Sequence, residues 1–157
     1  MNREYVNLGI ARMTQQMTAD LNNTLEQLDK EVWNEPDYDV TRLVKTCHQL
    51  RKKPLKGFTI EDLRIMIGQN IGLEFLIPLA LEKLKENILA EGNCYEGDLL
   101  NNVLTSEMQY WLSNKNNWQV LCELFEENIP RLERFDTTEE IKSSFFDHFK
   151  IFKEINT

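Results

Sequence analysis

The spacing of apolar residues is the feature that most narrows what this chain can fold into. Apolar side chains recur at steps of three or four through most of its 157 residues, and this is the repeat of one face of an α-helix. No segment alternates apolar and polar residues between turn-forming residues, as a half-buried strand does. The sequence therefore predicts an all-α fold.

A single-domain bundle of about six or seven helices follows from where this spacing starts and stops. The clearest helices are expected at 13–33, 40–52, 59–72, 75–90 and 137–152, with shorter ones at 98–104 and 118–127. Composition does not shift along the chain and no repeat interrupts it, so we expect one domain over residues 1–157. With 41% hydrophobic residues, such a domain needs no metal or disulfide to fold.

Four residues set the expected ends of the middle helices. Thr59 is suited to be the N-cap of the third helix, where its hydroxyl accepts a hydrogen bond from a first-turn amide. Gly72 is suited to end that helix. Pro78 is expected in the first turn of the fourth helix, where its missing N–H does no harm. Asp98 is expected to be the N-cap of the helix that follows.

The charge balance limits the partners that the chain is suited to bind. It has 18 Lys and Arg against 26 Asp and Glu, a net charge of −8, which repels phosphate backbones and anionic lipid. We therefore expect no direct nucleic-acid or membrane partner and favour a basic protein. No secretory signal or long apolar run is visible, and the three cysteines lack ligand spacing, so we expect a cytoplasmic protein with reduced thiols.

Side chains that could perform catalysis or bind a metal are few. The two histidines, His48 and His148, lie in no cluster of ligand or triad spacing. Cys47 and His48 are adjacent on a helix and point about 100° apart, so they do not form a nucleophile–base pair. Glu96 and Asp98 are the best-placed pair for acid–base work, but the N-cap role explains Asp98 better. We expect no catalytic, metal-binding or cofactor-binding residue.

A basic run ends the second predicted helix and leaves two interpretations open. Arg51, Lys52 and Lys53 are followed by Lys56. A nucleic-acid patch would normally interleave aromatic residues with such cations, and none is present here. We therefore favour a solvated helix end or an internal partner for the acidic segments.

Five short motifs between residues 50 and 111 carry a more specific signal. In order they are Lys53-Pro54-Leu55, Ile60-Glu61-Asp62-Leu63-Arg64-Ile65-Met66-Ile67-Gly68-Gln69-Asn70-Ile71-Gly72-Leu73, Leu76-Ile77-Pro78-Leu79-Ala80-Leu81, Tyr95-Glu96-Gly97-Asp98-Leu99-Leu100 and Tyr110-Trp111. As an ordered set they resemble bacterial contact-dependent growth inhibition (CDI) immunity proteins.

That resemblance implies a function and a class of partner. A CDI immunity protein is a cytosolic inhibitor that binds and neutralises the toxic C-terminal domain of a contact-delivered effector, and many of these toxins are nucleases. It implies a cognate toxin partner, expected as a 1:1 heterodimer, with no cofactor and no turnover. The matching residues are mostly scaffold types, among them the caps Asp62 and Asp98. Arg64 is either an ion-pair partner for a carboxylate such as Asp98, which we favour, or an interface group.

Two acidic clusters are candidate toxin-binding surfaces, since carboxylates steer an inhibitor towards the basic groove of a nuclease. Each cluster also has aromatic residues of the kind that anchor interfaces. The first cluster comprises Glu26, Asp29, Glu31, Trp33, Glu35, Asp37 and Tyr38; the second comprises Trp118, Glu123, Glu126, Glu127, Glu133 and Asp136. The plain alternative for each is a solvated helix face with buried aromatics.

A second function class also fits these features. A non-catalytic helical adaptor or structural interaction protein explains the helical pattern and the acidity equally well. The two hypotheses differ because only an immunity protein protects against a toxin encoded immediately upstream.

Overall fold

The computed structural model describes residues 20–157, and all of the regular structure in that range is helical. The all-α prediction is therefore confirmed there, although the described residues form nine α-helices besides the helical residues 20–22, more than the expected six or seven. The helices are α1 (Leu25–Asp29), α2 (Arg42–Arg51), α3 (Ile60–Gly68), α4 (Leu73–Glu86), α5 (Asp98–Leu104), α6 (Met108–Ser113), α7 (Lys115–Glu127), α8 (Ile129–Arg134) and α9 (Glu139–Lys153). Two 3₁₀ turns lie at Leu55–Gly57 and Glu154–Asn156.

The chain divides into two compact units. The first ends at Phe58, and the second spans Thr59–Thr157. The expectation of a single domain over residues 1–157 stays a prediction. No helix in the described part of the chain is long and apolar enough to cross a membrane.

The first predicted helix is wrong as a continuous element over 13–33. Its first residues lie outside the described range; residues 20–22 are helical, and α1 begins only after a break. Thr24 causes that break, because its side chain accepts a hydrogen bond from the Gln27 amide while the Gln27 side chain accepts one from the Thr24 amide. Such a capping box starts a new helix. The helix then ends at Lys30, whose φ of 57° is left-handed.

The rest of the first unit follows the prediction more closely. Thr41 caps α2, because its side chain accepts a hydrogen bond from the Val44 amide. Leu25, Cys47, Leu50 and Leu55 are buried in this unit. The amide of Leu55 also donates to the Asn23 carbonyl oxygen at 3.0 Å, which ties the 3₁₀ turn to the chain before α1.

The second unit is organised around α4, which packs against α3, α5 and α7. The helix expected at 75–90 is thus present as α4, and it lies at the centre of this unit. Helix α9 adds an aromatic stripe to this core, since Phe145, Phe149 and Phe152 are all buried. Phe149 stacks on Phe125 of α7 with ring centroids 3.8 Å apart.

The expected roles of Gly72 and Pro78 are wrong. Helix α3 already ends at Gly68, and Asn70 adopts a left-handed φ of 56°, which asparagine tolerates well. Gly72, with φ 66°, is instead the N-cap of α4. Because α4 therefore begins at Leu73, Pro78 falls inside the helix and withholds the hydrogen bond that the Glu74 carbonyl would otherwise accept.

Asp98 also departs from its expected role. It is the first residue of α5 rather than its N-cap, and it is buried. Its carboxylate accepts hydrogen bonds from the preceding loop, from the amides of Gly92 at 2.7 Å, Cys94 at 3.0 Å and Tyr95 at 3.4 Å. Aspartate here therefore shapes the loop that enters the helix instead of satisfying the first amides of the helix.

Candidate binding surfaces

The first acidic cluster is built around a buried arginine. Arg51, only 2% exposed, donates to both carboxylate oxygens of Asp29 at 2.7 and 3.0 Å and to the carbonyl oxygen of Glu31. The hydrogen bond from Arg51 holds the pKa of Asp29 below its ordinary value. A planar fork paired with a carboxylate is a strong, directional contact, so Asp29 is part of the support of this cluster.

Trp33 also packs against Arg51 and helps to hold the first cluster in place. Its ring lies 4.5 Å from the Arg51 guanidinium carbon and meets the His48 ring edge-on with centroids 5.0 Å apart. A guanidinium over an indole is a favourable cation–π contact. Trp33 is thus half-buried between two side chains of α2 and is not a freely exposed anchor.

The basic run is confirmed as an internal partner for the acidic segment at two of its positions. Arg51 pairs with Asp29, and Lys52 forms an ion pair with Glu35. The Lys52 ammonium lowers the pKa of Glu35, and the Glu35 carboxylate raises the pKa of Lys52. Lys56 donates to the Asn22 side chain at 3.3 Å. These contacts explain the basic run better than a nucleic-acid patch does.

Four further residues of the first cluster, Glu31, Glu35, Asp37 and Tyr38, face solvent on a twelve-residue segment without helix, whereas Glu26 is half-buried on α1. This segment, residues 30–41, joins α1 to α2 and is called the anchored loop below. Tyr38 is 99% exposed and Val32 is 75% exposed. The loop and α2 enclose a groove of about 300 Å³, lined by Glu35, Pro36, Asp37, Tyr38, Lys45, His48, Gln49 and Lys52.

The second acidic cluster is only partly brought together by the structure. Glu123, Glu126 and Glu127 lie at helical spacing on α7 and are exposed, so they share one helix face. Glu126 forms an ion pair with Lys153 of α9. The other two carboxylates are exposed elsewhere, Glu133 on α8 and Asp136 in the turn after it.

Trp118, the aromatic residue of the second cluster, is held in the scaffold. It is half-buried, and its indole Nε1–H donates to the carbonyl oxygen of Phe152 at 3.0 Å. Buried indoles usually find such a partner. Little of this side chain is therefore left to anchor a binding partner.

Arg64 is confirmed as an ion-pair residue, with a different main partner from the one expected. It binds Glu61 in a bidentate manner, with Nε–Oε2 and Nη2–Oε1 distances of 2.7 and 2.6 Å, and its Nε lies 3.7 Å from Asp98 Oδ2. Glu61 also accepts a hydrogen bond from the Asn93 amide at 2.8 Å. Arg64 therefore stabilises the loop before α5.

A polar cleft that the sequence does not reveal lies in the second unit. It has a volume of about 540 Å³ and is lined by Asn70, Leu73, Glu74, Glu107, Gln109, Tyr110, Ser113 and Asn114. The Glu107 amide donates to Asn70 Oδ1 at 2.8 Å. The lining residues come from segments far apart in sequence, so no local motif signals this cleft.

The residues considered for chemistry are engaged in packing. Cys47 is buried, which raises the pKa of its thiol, and His48 packs on Trp33. His148 Nδ1 lies 2.9 Å from the side-chain oxygen of Asn101. Within residues 20–157, no three His, Cys, Asp or Glu side chains come together in a group that could hold a metal ion.

Comparison with known proteins gives one match. The family model of the CDI immunity proteins matches residues 27–121. The matched stretch includes the anchored loop and all of the first cluster except Glu26, whereas it reaches only Trp118 of the second. No curated protein and no solved structure matches the chain.

Proposed function

This chain belongs to the CDI immunity proteins, and from that premise we propose that it binds and neutralises the C-terminal toxin domain of one cognate CDI effector. The family match over residues 27–121 is the observation that carries the proposal. The inhibitor acts in the cytoplasm as a 1:1 partner of its toxin. It works by binding, without turnover, a cofactor or direct contact with nucleic acid.

The charge of the chain supports a nuclease as the toxin. A nuclease presents basic surface to its substrate, and an inhibitor with a net charge of −8 is attracted to the same surface. An acidic face that docks in the substrate groove excludes the nucleic acid. Inhibition by occlusion is therefore the mechanism that we propose.

Either acidic cluster is a candidate for that face. The first offers exposed carboxylates beside the fully exposed Tyr38. The second offers the carboxylates of Glu123, Glu126 and Glu127 along α7. In both clusters some charge is already compensated, by Lys52 in the first and by Lys153 in the second.

Binding to the toxin domain encoded immediately upstream tests the proposal. The two proteins are co-purified and then titrated calorimetrically at low and moderate salt, and growth is followed on co-expression. We expect a tight 1:1 complex that weakens as salt rises, because salt screens exposed charges, together with protection of the cells. Absence of both binding and protection would contradict the proposal and favour the helical adaptor.

The nuclease and occlusion parts are tested separately. The purified toxin domain is incubated with DNA and with RNA, and degradation is followed as the inhibitor is added. We expect degradation to stop at one equivalent and labelled nucleic acid to be displaced from the toxin. Inhibition without displacement would show that the inhibitor binds away from the substrate groove.

A further inference from the structure

We propose that the anchored loop, residues 30–41, is the toxin-recognition element, with Tyr38 as the central contact and Asp37 as its charged neighbour. This inference rests on the proposed function and selects one of its two acidic surfaces. The matching patch on the toxin domain is a pocket that accepts an aromatic ring and has a Lys or Arg at its edge.

The loop is fixed by contacts beneath it. Arg51 holds the start of the loop through Asp29 and the Glu31 carbonyl, Trp33 packs on Arg51, and the amide of Glu31 donates to Asp29 Oδ1 at 3.0 Å. Connections of this length that lack secondary structure are often binding loops when they are held in place. Burying a charged side chain costs desolvation free energy. Here the buried charge of Arg51 is held by a carboxylate and a carbonyl oxygen, and these contacts fix the loop.

The loop also leaves two large hydrophobic side chains exposed to solvent. Tyr38, 99% exposed, and Val32, 75% exposed, are the two most exposed large hydrophobic residues in the described part of the chain. Tyrosine is enriched among the residues that dominate binding energy, because its ring buries much area with few rotatable bonds. An aromatic ring on a fixed loop gains that area with little loss of conformational freedom.

Asp37 is the carboxylate that lines the groove beside Tyr38 without an ion pair to α2. Glu35 is paired with Lys52 and Asp29 with Arg51, so both are already compensated by α2. Asp37 is exposed and forms no ion pair within residues 20–157. Its carboxylate therefore attracts a cation on the partner without first giving up a contact of its own. This fits the basic surface expected of a toxic nuclease.

The second cluster offers less to a partner. Its aromatic residue, Trp118, is half-buried and hydrogen-bonded, and the central carboxylate, Glu126, is paired with Lys153. Exposed carboxylates alone supply steering more than affinity. The combination of an exposed ring and an unpaired carboxylate occurs on the anchored loop.

Calorimetric titration of full-length variants with the purified upstream-encoded toxin domain tests the inference. Tyr38→Ala and Asp37→Asn are compared with Ile151→Ala, a matched apolar residue that is 64% exposed on α9, and with Asp147→Asn, an exposed aspartate on the same helix. We expect Tyr38→Ala to raise Kd by about tenfold or more, and Asp37→Asn to raise it less and to weaken its salt dependence. Both controls should stay within about twofold of the wild type.

The outcomes separate this inference from the proposed function. Wild-type binding that is unaffected by Tyr38→Ala and Asp37→Asn overturns the inference and leaves the proposed function standing. Failure of the wild type to bind contradicts the proposed function, and the inference with it. Because Tyr38 is almost fully exposed, its variant should keep the circular dichroism and unfolding midpoint of the wild type.

A double-mutant cycle tests whether Arg51 positions the loop. Arg51→Lys keeps the charge and removes the bidentate fork to Asp29. If Arg51 acts through Tyr38, Arg51→Lys weakens binding in the wild-type background and has little further effect in Tyr38→Ala. Equal effects in both backgrounds, or lower stability with unchanged Kd, would show that Arg51 has a purely structural role.

Discussion

At the scale of single residues, Gly97 is a position where the fold does not tolerate a side chain. Its φ is +87°, and a Cβ built there would lie 2.4 Å from Cζ of Phe145, a buried ring. Alanine at this position has to adopt a strained left-handed conformation and displace that ring. We expect Gly97→Ala to lower the free energy of unfolding by about 2 kcal/mol or more in urea denaturation.

Gly57→Ala is the control for that substitution. At Gly57 the added Cβ meets only the flexible Lys53 side chain, at 3.2 Å, and φ is not left-handed. A loss below about 1 kcal/mol is expected there. Equal losses at the two glycines would contradict the explanation given for Gly97.

Acid sensitivity follows from two carboxylates that are paired with arginine. Hydrogen bonds from Arg51 and Arg64 hold the pKa values of Asp29 and Glu61 below their ordinary values. Their contribution to stability is therefore fully present above the pKa of the unfolded chain, about 4 for such groups. It is lost as the pH falls through the lower pKa of the folded protein, so the free energy of unfolding should decline between about pH 5 and 2.

Substitution of Glu61 checks this origin. Glu61→Gln removes the titrating group beside Arg64, so the variant should be less stable at pH 7 and lose less stability on acidification. Glu96 is an exposed glutamate in the loop before α5, which Glu61 contacts through the Asn93 amide. As the control, Glu96→Gln should keep the wild-type pH profile. An unchanged pH dependence in Glu61→Gln would show that other groups cause the acid sensitivity.

Aspects of the site that depend on partners distant in sequence could not be predicted from composition or spacing. The basic run beside acidic segments suggested internal pairing, but not that Arg51 would be buried against Asp29, 22 residues earlier. The capping role of Asp98 was a local expectation that failed because the loop before α5 folds back and presents three amides to its carboxylate. Such a loop conformation leaves no periodic signal.

At the scale of helices, spacing predicted which segments are helical better than where they end. The segments around 40–52, 59–72 and 137–152 do form helices, because their apolar stripes face a core. The predicted helix over 13–33 contains a break because Thr24 and Gln27 satisfy each other's amides. Side-chain capping competes with continuation of the helix, and the free energies of the two differ little. The spacing of apolar residues therefore does not reveal where such a break occurs.

The capping box of α3 gives a test at this scale. Thr59 accepts from the Asp62 amide at 3.2 Å, and Asp62 accepts from the Thr59 amide at 3.0 Å. Thr59→Ala removes the hydroxyl that accepts from the Asp62 amide and leaves the backbone donor to Asp62 in place. We expect it to lower the free energy of unfolding by about 1 kcal/mol. Thr59→Ser, which keeps the hydroxyl, should retain most of the stability. A similar loss in both variants would mean that packing of the threonine methyl, not capping, is responsible.

At the scale of the whole molecule, two equivalent caps test whether the chain unfolds as one domain. Thr24 caps α1 in the first unit, and Thr59 caps α3 in the second. If residues 1–157 form a single cooperative domain, as the sequence predicts, Thr24→Ala and Thr59→Ala shift the same calorimetric transition. Two transitions, each moved by only one substitution, would show that the units unfold independently.

If the anchored loop is the element that binds the toxin, the contacts beneath it also have a consequence for the time course of inhibition. A loop that is already in place has no ordering step to complete after the first collision, so the observed rate of complex formation should rise linearly with toxin concentration. A loop that had to change shape after binding would give a rate that levels off. Rapid-mixing experiments distinguish these cases, and a linear rate means that the number of inhibitor molecules in the cell sets how soon an arriving toxin is captured.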